Sequence, residues 1–117
     1  MVFYPRYLDI FNNLIEDWFA KDIGQDIRTL VQDRRIGIPA VRIECDFRHP
    51  TRLGDLLQLR LSVEEMSESS LRLIIDGSVD GASRVTALIT LVFVSIDSFE
   101  SVAAPADIRE RIECFLA

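Results

Sequence analysis

Histidine is almost missing: His49 is the single one among 117 residues. A metal site built on several imidazoles is excluded, and no His and Cys stand at metal-ligand spacing. A catalytic imidazole needs an orienting partner, and no motif around His49 supplies one. It reads as a turn residue. Cysteine is nearly as scarce. Cys45 and Cys114 make no disulfide framework, and both read as buried thiols of a reducing compartment. No basic segment followed by an apolar one opens the chain, so no signal peptide is read. No apolar run reaches the roughly 18 to 20 residues that span a bilayer. The cytoplasm is the expected location. A Gly-rich phosphate loop, a Gly-x-Ser-x-Gly elbow, a linker, an internal repeat and a low-complexity tract are all missing. So is an excess of positive charge. The net charge of −6 argues against a nucleic-acid binder, which would need a basic stripe to neutralise phosphates.

What is present suits one domain over residues 1–117. Hydrophobic residues make up 49% of the chain, a high share for a domain that buries roughly two-thirds of its unfolded surface. Some of that surface is expected to lie between subunits.

Residues 5–20 read as a helix. Pro5 suits the first helical position, where a missing N–H costs nothing. Tyr7, Leu8, Phe11, Leu14, Ile15, Trp18 and Phe19 repeat at three-to-four spacing and form a wide apolar stripe. Gly24 breaks the pattern. Asp26 to Val31 could form a helical turn, and residues 33–37 read as a loop. The period then changes to two. Val41, Ile43, Cys45 and Phe47 alternate with charged residues, as do Leu57, Leu59, Leu61 and Val63 with polar ones. Leu71, Leu73 and Ile75 continue the pattern, and Asp80-Gly81 is a hairpin signal. Val85 to Ile96 is apolar on both faces, so it should be covered on both. The helix would be one cover and a partner subunit the other. Ile108, Ile112 and Phe115 share a face of a short terminal helix, with Asp107 favouring its N-terminus. The sum is helix, four antiparallel strands, short helix: an α+β sheet-and-helix domain.

Three segments carry a family resemblance. They are Val2-Phe3-Tyr4-Pro5-Arg6-Tyr7, then Cys45-Asp46-Phe47-Arg48-His49-Pro50 through Leu53-Gly54-Asp55, and then Pro105-Ala106-Asp107-Ile108-Arg109. Together they resemble the hotdog-fold acyl-CoA thioesterases of the 4-hydroxybenzoyl-CoA thioesterase group. Members usually read Asp-x-x-Gly-x-Val-Phe-Tyr-Pro, preceded by one more strand. The resemblance implies a long helix wrapped by an antiparallel sheet, a homodimer or homotetramer, and an active site at the subunit interface. CoA would enter as part of the substrate, with no other cofactor.

What it implies for residues is narrower. A helix start carries N–H groups without internal partners and partial positive charge, suited to a developing oxyanion. In the family the N–H at the tyrosine of Phe-Tyr-Pro does this, which matches Tyr4; Tyr4 also reads as a residue that merely packs there. The family's catalytic aspartate would precede Met1, so no residue here matches it. A misplaced start, a cut chain, a non-hydrolytic relative and a substitute acid all stay open. Asp9, Glu16 and Asp17 are the acids on the helix. Asp9 and Asp17 fall away from the apolar stripe and read as solvated, whereas Glu16 lies near its edge beside Asn12. Asn12 matches a position that contacts the acyl group across the interface. Family members that take a phenolic hydroxyl have aspartate there, so asparagine departs from the pattern. Asn12 and Glu16 are the expected substrate contacts. Cations for the CoA phosphates often sit in the turn that here reads Ser67-Glu68-Ser69-Ser70, and Glu68 has the wrong sign. Arg48, Arg52, Arg72 and Arg84 are the substitutes, each equally readable as a solvated charge. A hotdog module that binds an acyl thioester without cleaving it is the alternative. A dehydratase-like enzyme would need a carboxylate–histidine arrangement, for which His49 is wrongly set.

Overall fold

The computed structural model describes residues 4–52 and 54–116. Val2 and Phe3 of the first motif and Leu53 of the second lie outside them, as does the side chain of Tyr4. Helix α1 runs Tyr4–Trp18 and continues as a wider π-helical turn, Phe19–Ile23. Tyr7, Phe11, Ile15, Trp18 and Phe19 are all buried, as the stripe requires. Leu8 and Leu14 sit at its margins, exposed and half-buried. Gly24 ends the helix at φ +81°, the left-handed conformation that glycine takes without steric cost.

The next segment is more ordered than its sequence suggested. Helix α2 spans Ile27–Arg34, three residues past the expected turn. Asp26 caps it, its side chain accepting from Thr29 N–H at 3.0 Å. Leu30 is fully buried beneath it. The expected loop at 33–37 is instead the end of α2 and a two-residue strand β1, Ile36–Gly37, paired with β6, Val94–Ser95.

The main sheet holds β2 (Ala40–Phe47), β3 (Gln58–Met66), β4 (Ser70–Val79) and β5 (Ala82–Val92). All four pair antiparallel in the order β2-β5-β4-β3. Consecutive β2 and β3 are therefore not neighbours but opposite edges, joined by residues 48–57. Asp80 and Gly81, at φ +52° and +81°, make the tight turn between β4 and β5.

One face of the sheet is the core. Leu71, Leu73 and Ile75 of β4 and Val85, Ala87, Ile89 and Leu91 of β5 pack with the α1 stripe in one cluster. On the other face, Thr86, Leu88, Thr90 and Val92 are only half-buried. Within one chain, β5 is thus covered on one side, not two. The run read as one strand to Ile96 breaks at Phe93 and resumes as β6. Helix α3, Ala106–Glu113, buries Ile108 and Ile112. Phe115 lies past its end and stacks edge-on to Trp18 at 5.6 Å. Asp107 forms a bidentate pair with Arg34 at 2.9 and 3.0 Å, tying α3 to α2.

The cysteines are less buried than expected. Cys114 is exposed because the helix has ended before it, and Cys45 is half-buried because its strand is an edge. Burial, then the charge of Asp46, pushes the Cys45 thiol up from its ordinary pKa.

Candidate active site

A helix start and an apolar groove define the site. The first N–H groups of α1 have no acceptor one turn earlier within the helix. Tyr4 opens that turn and Pro5 contributes no donor, so the free helical N–H groups are those of Tyr4 and Arg6.

The turn is held in place by Tyr7. Its ring packs on Phe47 at 5.4 Å and Phe11 at 6.0 Å. Its hydroxyl donates to Thr51 Oγ1, 44 residues along the chain. Thr51 is the only buried polar side chain among the described residues. The 48–55 segment is further fastened to β5. Arg48 N–H and His49 N–H both donate to the Arg84 carbonyl, at 2.8 and 3.4 Å, and Arg84 Nη1 donates to the Pro50 carbonyl at 3.2 Å. Within the loop, Asp55 accepts from Arg52 N–H at 2.8 Å. The second sequence motif thus packs on the first.

Along α1 from that turn, Leu8, Phe11, Asn12, Ile15 and Glu16 line one wall of a groove of about 160 Å³. Residues at this three-to-four spacing share a helix face. The facing wall is apolar and includes Ile27, Ile38, Ile43, Ile89 and Leu91. Asn12 and Glu16 are the groove's only polar residues. Asn12 Nδ2 donates to Glu16 Oε1 at 3.3 Å, so the structure brings these two nominated residues together. Cavities near 150 Å³ lined by such side chains take a benzene-sized group. The groove's dimensions therefore match a single ring or a short branched chain.

Distance along the helix separates roles. At about 1.5 Å per residue, Asn12 is roughly 12 Å and Glu16 roughly 18 Å from Tyr4. A base attacking a thioester held at Tyr4 must work within hydrogen-bond reach. Glu16 therefore cannot be that base within its own chain. Asp9 and Asp17 are exposed, as their place off the stripe implied.

The arginines divide. Arg72 lies on the sheet face away from α1, beside Glu65 at 3.2 Å and Glu64 at 3.8 Å. Arg48 donates to Thr86 Oγ1, and Thr86 and Ser83 donate to Asp76 Oδ1 at 3.1 and 2.9 Å. Arg84 stands beside Pro50, and its buried Nε has no acceptor among the described residues. The Ser67–Ser70 turn has a cation that sequence reading missed: Arg109 of α3 donates to the Ser67 carbonyl at 3.0 Å while pairing with Glu113 at 2.9 Å. Its signal, an i,i+4 pair on a terminal helix, gave no hint of the turn it meets. Among the described residues, no group of three or more His, Cys, Asp or Glu could hold a metal.

A family model described as the thioesterase-like superfamily matches residues 2–112. No curated protein matches the sequence. Among solved structures, the chain is similar to a thioesterase superfamily protein from Jannaschia sp. CCS1, with 24% identity and a TM-score of 0.90 over 100% of this chain and 82% of that one. It is similar to BH1999 gentisyl-coenzyme A thioesterase at 22% identity and TM-score 0.83, over 97% and 87%. It is also similar to SAV2348 from Staphylococcus aureus, in complex with CoA, at 14% identity and TM-score 0.89, over 97% and 72%. The helix-on-sheet architecture is thus the hotdog fold. No described helix is long and apolar enough to cross a membrane.

Proposed function

This chain belongs to the thioesterase-like superfamily, and we propose that it is a cytoplasmic acyl-CoA thioesterase, cleaving an acyl-CoA with water to a carboxylic acid and CoA. The observation that carries this reading is the apolar groove along α1 from Leu8 to the Asn12–Glu16 pair, which begins one turn past the free N–H groups of the helix start. The thioester carbonyl sits at the helix start, where the Tyr4 N–H stabilises the oxyanion formed by water attack. The acyl group lies along the groove against Phe11, Ile15 and Ile43. Asn12 and Glu16 meet its far end. The roughly 18 Å from Tyr4 to Glu16 removes Glu16 as the attacking base within one chain.

The working form in this reading is a homodimer or homotetramer. β2 is an edge strand whose Val41, Ile43 and Phe47 are 61%, 47% and 51% exposed, and a bare apolar edge of this kind invites pairing. Antiparallel pairing of two copies about Ile43 sets Arg42 against the partner's Glu44 twice. Pairing about Glu44 would set two glutamates together. A second copy would close the open side of the groove at Ile43.

The distance from Glu16 to the helix start also favours a second reading, a module that binds the thioester without cleaving it. Thiol release separates the two. Turnover of an aromatic or short-chain acyl-CoA by the oligomer supports the enzyme; saturable binding without thiol release supports the module.

A further inference from the structure

Arg60 and Asp76 stand directly opposite each other on β3 and β4, on the sheet face away from α1. Cross-strand neighbours of opposite charge ordinarily pair. These two do not. Asp76 turns to β5 instead, where Ser83 Oγ and Thr86 Oγ1 donate to its Oδ1 at 2.9 and 3.1 Å, and Arg48 donates in turn to Thr86 Oγ1. Asp76 Oδ2 accepts from no donor among the described residues. The Arg60 guanidinium holds no carboxylate among them, unlike Arg72 on the same face, which reaches Glu65 at 3.2 Å. Between the two charges lies a cleft of about 600 Å³, lined by Gln58, Arg60, Asp76, Ser78 and Ser83, with Leu59 and Gly81 at its margin. Strand register explains its shape. Gln58, Ser78 and Ser83 form one row across β3, β4 and β5, and Arg60, Asp76 and Thr86 form the next. The short serines leave the depression, and the longer Gln58 and Arg60 stand along its side. Gln58 and Ser78 also make no side-chain hydrogen bond among the described residues.

We propose that this cleft binds a small zwitterion of the free amino-acid type, its carboxylate on the Arg60 guanidinium and its ammonium on Asp76 Oδ2. The charges select the class. A guanidinium fork matches a carboxylate in two parallel, charge-assisted bonds. A carboxylate fixed by two hydroxyls on one oxygen keeps the other for an ammonium. A simple anion on Arg60 meets the Asp76 carboxylate one strand away, about 4.8 Å, and a simple cation on Asp76 meets Arg60. A neutral ligand leaves both charges uncompensated. Only a ligand carrying both signs answers both residues, and the Gln58 amide and Ser78 hydroxyl add neutral hydrogen bonds beside them. The cleft and the acyl groove lie on opposite faces of the sheet, so the inference stands apart from the thioesterase reading.

The test is calorimetry on the 117-residue chain with the common free amino acids as probes, and with acetate, methylammonium and glucose as controls. At least one amino acid should bind saturably, and each control should bind at least about tenfold more weakly, the size of one charge-assisted contact. Arg60→Gln and Asp76→Asn should each weaken the amino acid about tenfold. Arg60 is exposed, and Asp76→Asn keeps the oxygen that Ser83 and Thr86 bond, so both variants should fold. Arg72→Gln, on the same face, should leave the affinity alone. Binding of no amino acid overturns the inference. Acetate binding as tightly as the amino acid makes Arg60 a plain anion site, and glucose doing so makes the cleft a hydrogen-bonding site for neutral ligands; either overturns it. Affinity indifferent to Arg60→Gln and Asp76→Asn, or lost in Arg72→Gln, puts the amino acid elsewhere and overturns it also.

Discussion

Tyr7 shows what one side chain does for the site. Its hydroxyl satisfies Thr51 away from water, and its ring fills the gap between Phe11 and Phe47. Tyr7→Phe keeps the ring and strands the Thr51 hydroxyl, which should cost about 1–3 kcal/mol in urea denaturation. Tyr7→Phe with Thr51→Val should cost less than the sum of the single changes, because both partners are then apolar. Additive losses would mean the hydrogen bond contributes nothing. Surface pairs behave differently. The Arg34 hydrogen bond holds the Asp107 carboxyl below its ordinary pKa, and Arg34 is raised in turn. A depressed carboxylate contributes stability above its unfolded pKa, near 3.9, and loses it as pH falls through the lower folded value. Both groups are largely solvated, so the effect is small. Asp107→Asn should slightly lower the melting temperature at pH 7 and leave it unchanged near pH 2. The Asn12–Glu16 pair was legible in sequence because partners four apart on a helix meet; the Tyr7–Thr51 bond was not, since 44 residues separate its ends.

Among the elements, α1 was the most legible, because its four buried residues repeat at helical spacing. Phe11 sits at its centre with 1% exposure, so Phe11→Ala should cost about 3–5 kcal/mol in chemical denaturation and should widen the acyl groove it lines. A loss under 1 kcal/mol would mean the stripe does not hold the sheet. α2 was under-read. Its polar sequence hides one buried contact, Leu30; the Asp26 side chain caps its first turn, and the Arg34 pair orients it toward α3 while adding little stability. Asp26→Ala should cost about 0.5–2 kcal/mol. The strands were read from alternation, yet alternation carries no information about neighbours. That β2 pairs with β5 instead of β3 follows from the long 48–57 connection, which carries the chain from one edge of the sheet to the other.

For the whole molecule, the unresolved balance of apolar surface is the main clue. The second face of β5 and the edge of β2 remain partly bare in a single chain, as the high apolar content implied. If two copies pair about Ile43, Arg42→Glu should shift the protein toward monomer in sedimentation, and adding Glu44→Arg should restore the dimer by reversing both pairs. A dimer indifferent to either change would require another interface. What the sequence could not convey is which surface would meet which, because alternation along β2 carries no information about a register with a second copy.

Hydrolysis is read most directly by thiol release. With the 117-residue chain, a benzoyl- or short branched acyl-CoA should release CoA well above the uncatalysed rate, and faster than a long-chain ester too large for a groove of about 160 Å³. No thiol release from any ester by a folded oligomer would contradict it, leaving a thioester-binding module.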